Sequence, residues 1–148
     1  MRTLSALLAA LFTLVILSGY AVAGDEKREL TDDERAILDV IVANRDAAEE
    51  EDLEGYMATI HEDSPLYETT ESTMEQIFDI YDLYYDIPRV EFVEVGEAEA
   101  SVRVTQITGR ISGPDFNDNE TTAVHTLYMT DDGWMIYGSE IEEIEFLD

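Results

Sequence analysis

Apolar positions along this chain keep a helical period in its first half and a strand period in its second. Ile37, Leu38, Ile41, Val42 and Ala48 trace one helical face to about Glu50, interrupted only by Arg45, which reads as snorkelling to a rim. Thr31-Asp32-Asp33-Glu34 ahead of them is a capping box, with acids in the first turn opposing the helix dipole. After an acidic break from Glu49 to Asp52, Leu53, Tyr56, Met57 and Ile60 recur at i, i+3, i+4 and i+7 and predict a second, short helix. Asp63-Ser64-Pro65 stops it, because the residue before proline is driven out of the α region, and Leu66 to Glu68 are expected to leave extended. Ser72-Thr73-Met74-Glu75 is a second capping box. The helix it opens carries Met74, Ile77, Phe78, Tyr81, Tyr84 and Tyr85 on one side and is expected to end at Pro88.

Strands follow. Val90 to Val95 is short, and Glu97 to Ile111 alternates, with Ala100, Val102, Val104, Gln106 and Thr108 on one face. The turn formers from Ser112 to Asn119 make a connecting loop, and Glu120 to Thr130 pairs back. Asp131-Asp132-Gly133 forms a tight hairpin turn into a last strand, Trp134 to about Phe146, where the apolar register slips past Ile141 and predicts a bulge. Three helices followed by four strands is an α+β pattern. Its expected form is a cone: three N-terminal helices packed on a curved, mostly antiparallel four-stranded sheet, with a small-molecule pocket at the mouth.

The 148 residues suit one domain and carry a net charge of −27. Arg2, an uncharged apolar run from Leu4 to Leu17 and Ala21-Val22-Ala23 read as a signal peptide over residues 1–23, with an uncleaved anchor as the alternative. Residues 24–30 read as a disordered lead-in and 31–148 as the domain. The expected location is therefore secreted, periplasmic or cell-surface, with no membrane contact after cleavage. Seven basic residues against 35 acidic ones would leave the mature chain at −28. A field of that sign excludes nucleic acid and anionic lipid as partners, which need Lys and Arg clusters. It fits a halophilic surface, because the acids are spread rather than blocked; binding of a cationic ligand is the alternative. With no cysteine, the fold rests on its core alone.

Asp52-Leu53-Glu54-Gly55 followed by Glu62-Asp63-Ser64-Pro65-Leu66 resembles the nuclear-transport-factor-2-like superfamily, the cone fold of ketosteroid isomerases and SnoaL-like cyclases. Gly113 to Asn119, His125-Thr126-Leu127 and Asp132 to Ile136 extend the likeness, which covers about residues 31 to 147. The resemblance implies the cystatin-like roll and says little of function, since that fold hosts enzymes, binders and assembly modules. Gapless alignment sets Glu68 where the isomerases carry their base, and Asn44 where they carry a tyrosine.

The candidate chemistry is thin. Glu68 or His125 could serve as the base of an isomerase, cyclase or dehydratase, but neither has an evident partner acid. His125 otherwise reads as a satisfied structural histidine and Glu68 as one exposed acid among 35. Asp115-Phe116-Asn117-Asp118-Asn119 opens like a calcium loop and then fails, with Glu120 in place of glycine. No metal site and no cofactor are implied. A pocket lined by Asn44, Tyr56, Tyr81, Gln106 and Trp134 would take a small apolar or aromatic ligand. Ile107, Tyr128, Met135 and Tyr137 on the other sheet face suggest a homodimer. The reading that results is a small non-catalytic ligand-binding or association module, with a proton-transfer enzyme as the alternative.

Overall fold

A computed structural model describes residues 21–22 and 28–147. Residues 1–20 and 23–27, which hold most of the expected signal segment and lead-in, lie outside the described residues. The first helix, α1 (Asp32–Glu49), opens with the full capping box. Thr31 Oγ1 accepts from Glu34 N at 3.2 Å, and Glu34 accepts from Thr31 N at 2.8 Å. The buried Glu34 carboxylate is also forked by Arg28 at 2.7 and 2.9 Å, and that guanidinium holds its pKa below the ordinary carboxylate value.

The helix ends in a Schellman turn. Asp52 N donates to Ala47 O and Glu51 N to Ala48 O, with Glu51 left-handed at φ 57°. The next helix, α2 (Leu53–Met57), follows at once, capped by Asp52, whose Oδ1 accepts from Gly55 N at 3.0 Å. Gly55 leaves room for that cap: a Cβ there would fall on the Asp52 carboxylate and displace it.

The third helix, α3 (Tyr67–Ile80), departs from the sequence expectation. Leu66 to Glu68 do not form an extended segment; Tyr67 and Glu68 are its first turn. Ser64 explains the early start. Its Oγ donates to Tyr137 O at 2.6 Å and accepts from Leu66 N, while its carbonyl receives Tyr67 N. Pro65 thus leads into a helix rather than ending one, since α2 has already stopped at Met57. Ser72-Thr73-Met74-Glu75 lies inside α3 and caps nothing.

The sheet runs β1 (Ala21–Val22), β2 (Asp82–Val95), β3 (Glu99–Ser112), β4 (Asn119–Thr130), β5 (Gly133–Phe146), each hydrogen-bonded to the next. The four long strands form the expected antiparallel meander, and β1 adds in parallel opposite Arg89 and Val90. Tyr84, Tyr85 and Pro88 belong to β2, not to the third helix. Pro88 is tolerated because the register slips between Asp86 and Arg89, a bulge where a missing N–H leaves no gap in the ladder. Further slips fall at Val93 in β2 and at Tyr137 and Glu142 in β5, the last being the bulge expected past Ile141. These bulges curl the sheet.

Ile37, Ile41 and Met57 from the helices and Ile60 from the turn after α2 pack on Val90, Val102, Val104, Leu127, Trp134 and Ile136 from the sheet. The segment just after α2 is stitched to β5 by Ile136 N to Thr59 O and His61 N to Ile136 O, so the helical bend sits over one end of the curled sheet.

Candidate functional site

Between α1, the second half of α3 and the sheet, the cone keeps a cavity of about 260 Å³. Asn44 and Arg45 reach it from α1, Tyr56 from α2, Met74 and Ile77 from α3, and Tyr85 and Gln106 from the sheet. Three of the five residues expected in a pocket therefore meet: Asn44, Tyr56 and Gln106. Tyr81 stays outside and packs edge-on against Phe116, itself part of the wall, with ring centroids 5.6 Å apart. Trp134 is core, 3 % exposed, and its indole Nε1 donates to Asp33 Oδ1 at 3.3 Å, at the N-terminal end of α1.

Polar groups in the wall are tied to one another. Asn44 Nδ2 donates to Thr59 Oγ1 at 2.8 Å, and Thr59 Oγ1 donates to Tyr56 O at 2.6 Å. Burial raises the Tyr56 pKa, against a smaller opposing pull from its hydrogen bond with Asn44. Burial, with the nearby Tyr56 and Glu51, pushes Tyr85 up to about 12. Both phenols thus remain O–H donors at neutral pH. Gln106 Nε2 donates to Thr108 Oγ1 at 3.2 Å, which satisfies part of its amide. Arg45 faces the same cavity with Nε 2.6 Å from Asp46 Oδ1. Its break in the apolar stripe of α1 was the one sequence signal for this cation. Tyr85, Phe116 and Asn119 escaped the sequence reading, Tyr85 because it was assigned to a helix.

Asn44 and Tyr56 also wall a second hollow of about 130 Å³, which His125 and Ser139 close from the sheet. His125 Nδ1 lies 2.6 Å from Ser139 Oγ, and crowding by protein lowers the imidazole pKa to about 4. The ring is therefore neutral at pH 7. Glu68 is exposed on the first turn of α3 and lines neither hollow. The extended segment expected over Leu66 to Glu68 is the start of a helix instead.

A larger concavity lies elsewhere. An open groove of about 870 Å³ runs between α2 and the β4–β5 turn over Leu53, Met57 and Met135. Glu54, Glu62, Asp63, Glu71, Asp131 and Asp132 rim it. On the outer sheet face, His61 meets Tyr128 and Tyr137 edge-on at 6.1 and 5.6 Å, and the two tyrosines lie 4.5 Å apart. In the loop before β4, Asp118 Oδ1 accepts from Arg110 N, and Asp115 lies 3.6 Å from the Arg110 guanidinium. Among the described residues no group of three or more His, Asp or Glu is placed to hold a metal ion. Among them, too, no helix is long and apolar enough to cross a membrane.

Helices on a curled meander with a hollow beneath define the nuclear-transport-factor-2-like, cystatin-like fold. Solved structures agree. A candidate aromatic-ring hydroxylase from Novosphingobium aromaticivorans superposes with a TM-score of 0.68 at 14 % identity, covering 81 % of this chain and 96 % of that one. A cystatin-like protein of unknown function from Nostoc punctiforme gives 0.63 at 15 %, over 80 % and 96 %. A candidate scytalone dehydratase from Novosphingobium aromaticivorans gives 0.58 at 18 %, over 77 % and 87 %. At such identities the likeness is one of fold. No match was found among curated proteins. Residues 39–147 match the model for the C-terminal domain of anti-sigma-I factor RsgI9, and the chain belongs to that family.

Proposed function

We propose that this domain is a non-catalytic binding module whose cone interior takes a small, single-ring ligand bearing hydrogen-bonding oxygens. The observation that carries this reading is the convergence of Asn44, Tyr56 and Gln106, with Arg45 and Tyr85, on one cavity of about 260 Å³. That volume is at the small end for ligand pockets. A proton-transfer enzyme would need a base inside it. Glu68 stands outside, and His125 opens on the separate smaller hollow with no carboxylate hydrogen-bonded to its ring among the described residues. The family takes its name from a domain of an anti-sigma factor, a regulator rather than a catalyst, which supports a binding role.

Native mass spectrometry of protein purified from its own source tests this. A retained small molecule, lost in Gln106→Leu, is the expected result. Protein that carries none and shows no cavity-residue shifts against single-ring phenols and carboxylates would end the reading. The same proposal places the mature domain outside the cell after removal of residues 1–23. That cleavage would take β1 with it, so the intact mass of the exported protein checks it. Association through Ile107, Tyr128, Met135 and Tyr137 completes the reading; light scattering at molar salt should return a dimer, and a clean monomer ends that part.

A further inference from the structure

The far half of β5 is the most exposed ordered strand in the domain: every residue from Ser139 to Phe146 faces solvent. Ile141 is 60 %, Ile144 49 % and Phe146 67 % exposed, three large apolar side chains along one short stretch of strand. All three are on the inner face of the sheet. Ile141 stands opposite Ala123, Ile144 opposite Thr121 and Phe146 opposite Asn119. Those residues in turn oppose Val104, Gln106 and Thr108. The strip therefore prolongs the sheet wall of the cavity outward, past Gln106.

The backbone there is open too. β5 ends the sheet, and among the described residues its outer edge is bridged only at Ile136, by Ile60. Glu140, Glu143 and Glu145 occupy the opposite face, paired to Val124, Thr122 and Glu120. Among the described residues none of these glutamates is in an ion pair, whereas Glu142, at the bulge, is held by Arg103 at 2.7 Å. An unpaired edge, an apolar row on one face and a carboxylate row on the other form a template for strand addition.

We propose that residues 139–146 are a docking edge for an extended segment of a partner protein, in which apolar residues alternate with Lys or Arg. Such a segment would complete the backbone ladder, lay its apolar side chains beside Ile141, Ile144 and Phe146, and set its cations against Glu140, Glu143 and Glu145. A second copy of this chain is the poorer occupant, because self-pairing through that edge sets glutamates against glutamates. A strand docked there would border the cavity mouth.

The test uses a capped synthetic peptide of about eight residues alternating Lys and Val. Its control is an isomer of the same composition with the lysines and valines in two blocks. Binding is measured in molar KCl, where non-specific attraction is screened. The alternating peptide should bind at least about tenfold more tightly than the blocked one. Its amide shifts should cluster at residues 139–146, and Ile144→Thr with Phe146→Thr should remove the preference. Equal affinity for both peptides, no binding of either, or shifts centred on Met57 and Met135 in the acidic groove would overturn the proposal. So would a dimer of the free protein with residues 139–146 already protected from exchange.

Discussion

The carboxylate of Asp52 fills the space that a side chain at Gly55 would occupy, and it caps α2 through the N–H of that same glycine. The two residues act as one device, which gives the spacing Asp-Leu-x-Gly a physical cause. Gly55→Ala should displace the cap and destabilise the domain by about 1 kcal/mol, the usual worth of an N-cap. Asp52→Ala should cost a similar amount. The double variant should cost little more than either single one, since both break the same contact. Thermal melts of the three variants would show it; fully additive losses would separate the two residues.

Glu51, one position earlier, holds a left-handed backbone with φ 57° so that α1 can close its Schellman turn. A residue with a Cβ gives up roughly 1 kcal/mol there relative to glycine. Glu51→Gly should raise the melting midpoint by about 3–5 °C. Glu51→Gln keeps the strain and removes only the charge, so its midpoint should rise less. If Gln matches Gly, charge rather than backbone strain governs this turn.

The meander, its hairpin turn at Asp131-Asp132 and the bulge by Glu142 were legible because each is written within a few residues. The capping box of α1 was legible for the same reason. The start of α3 was not. It depends on Ser64 reaching Tyr137 across the fold, and a Ser-x-x-Glu spacing inside the helix imitated a start. Pro88 misled in the same way: it marks a boundary in a helix, yet it sits within β2 where a bulge removes the need for its N–H. Of the expected pocket, Asn44, Tyr56 and Gln106 could be placed by position on the fold. Trp134 could not, because which end of α1 it packs under depends on the sheet's curl and on Asp33. The open edge of β5 was hidden as well: alternation shows two faces of a strand, not whether a neighbour covers its edge.

His125 links the smaller hollow to pH. Its folded pKa is about 4 against an ordinary 6.5, because burial disfavours the charged ring. Between those values the unfolded chain takes up a proton that the folded one refuses, so stability is full above about 6.5 and falls as pH drops towards 4. Carboxylates titrating in the lower part of that range relieve repulsion and work the other way, so the comparison has to be made against a variant. On acidification from pH 7 to 5, wild type should lose more melting temperature than His125→Asn. The ring proton shifts of His125 should also stay at their neutral values at pH 5.5, between the two values. A ring that titrates near 6.5 would dissolve this account.

Salt should matter more than any single residue. The chain carries 35 acidic against 8 basic residues, and each of the six arginines among the described residues already has a carboxylate partner. The remaining acids therefore repel one another with little internal compensation. Screening shortens the reach of that repulsion from about 10 Å at 0.1 M salt to about 3 Å at 1 M. The melting midpoint should climb steadily between dilute buffer and molar KCl. The Glu54, Glu62, Asp63, Glu71, Asp131 and Asp132 rim is the place to localise the effect. Neutralising Asp131 and Asp132 to Asn should raise the midpoint in dilute buffer and leave it nearly unchanged in molar salt. A midpoint indifferent to salt would mean that the charge is held by bound cations rather than screened, and would remove the case for a halophilic surface.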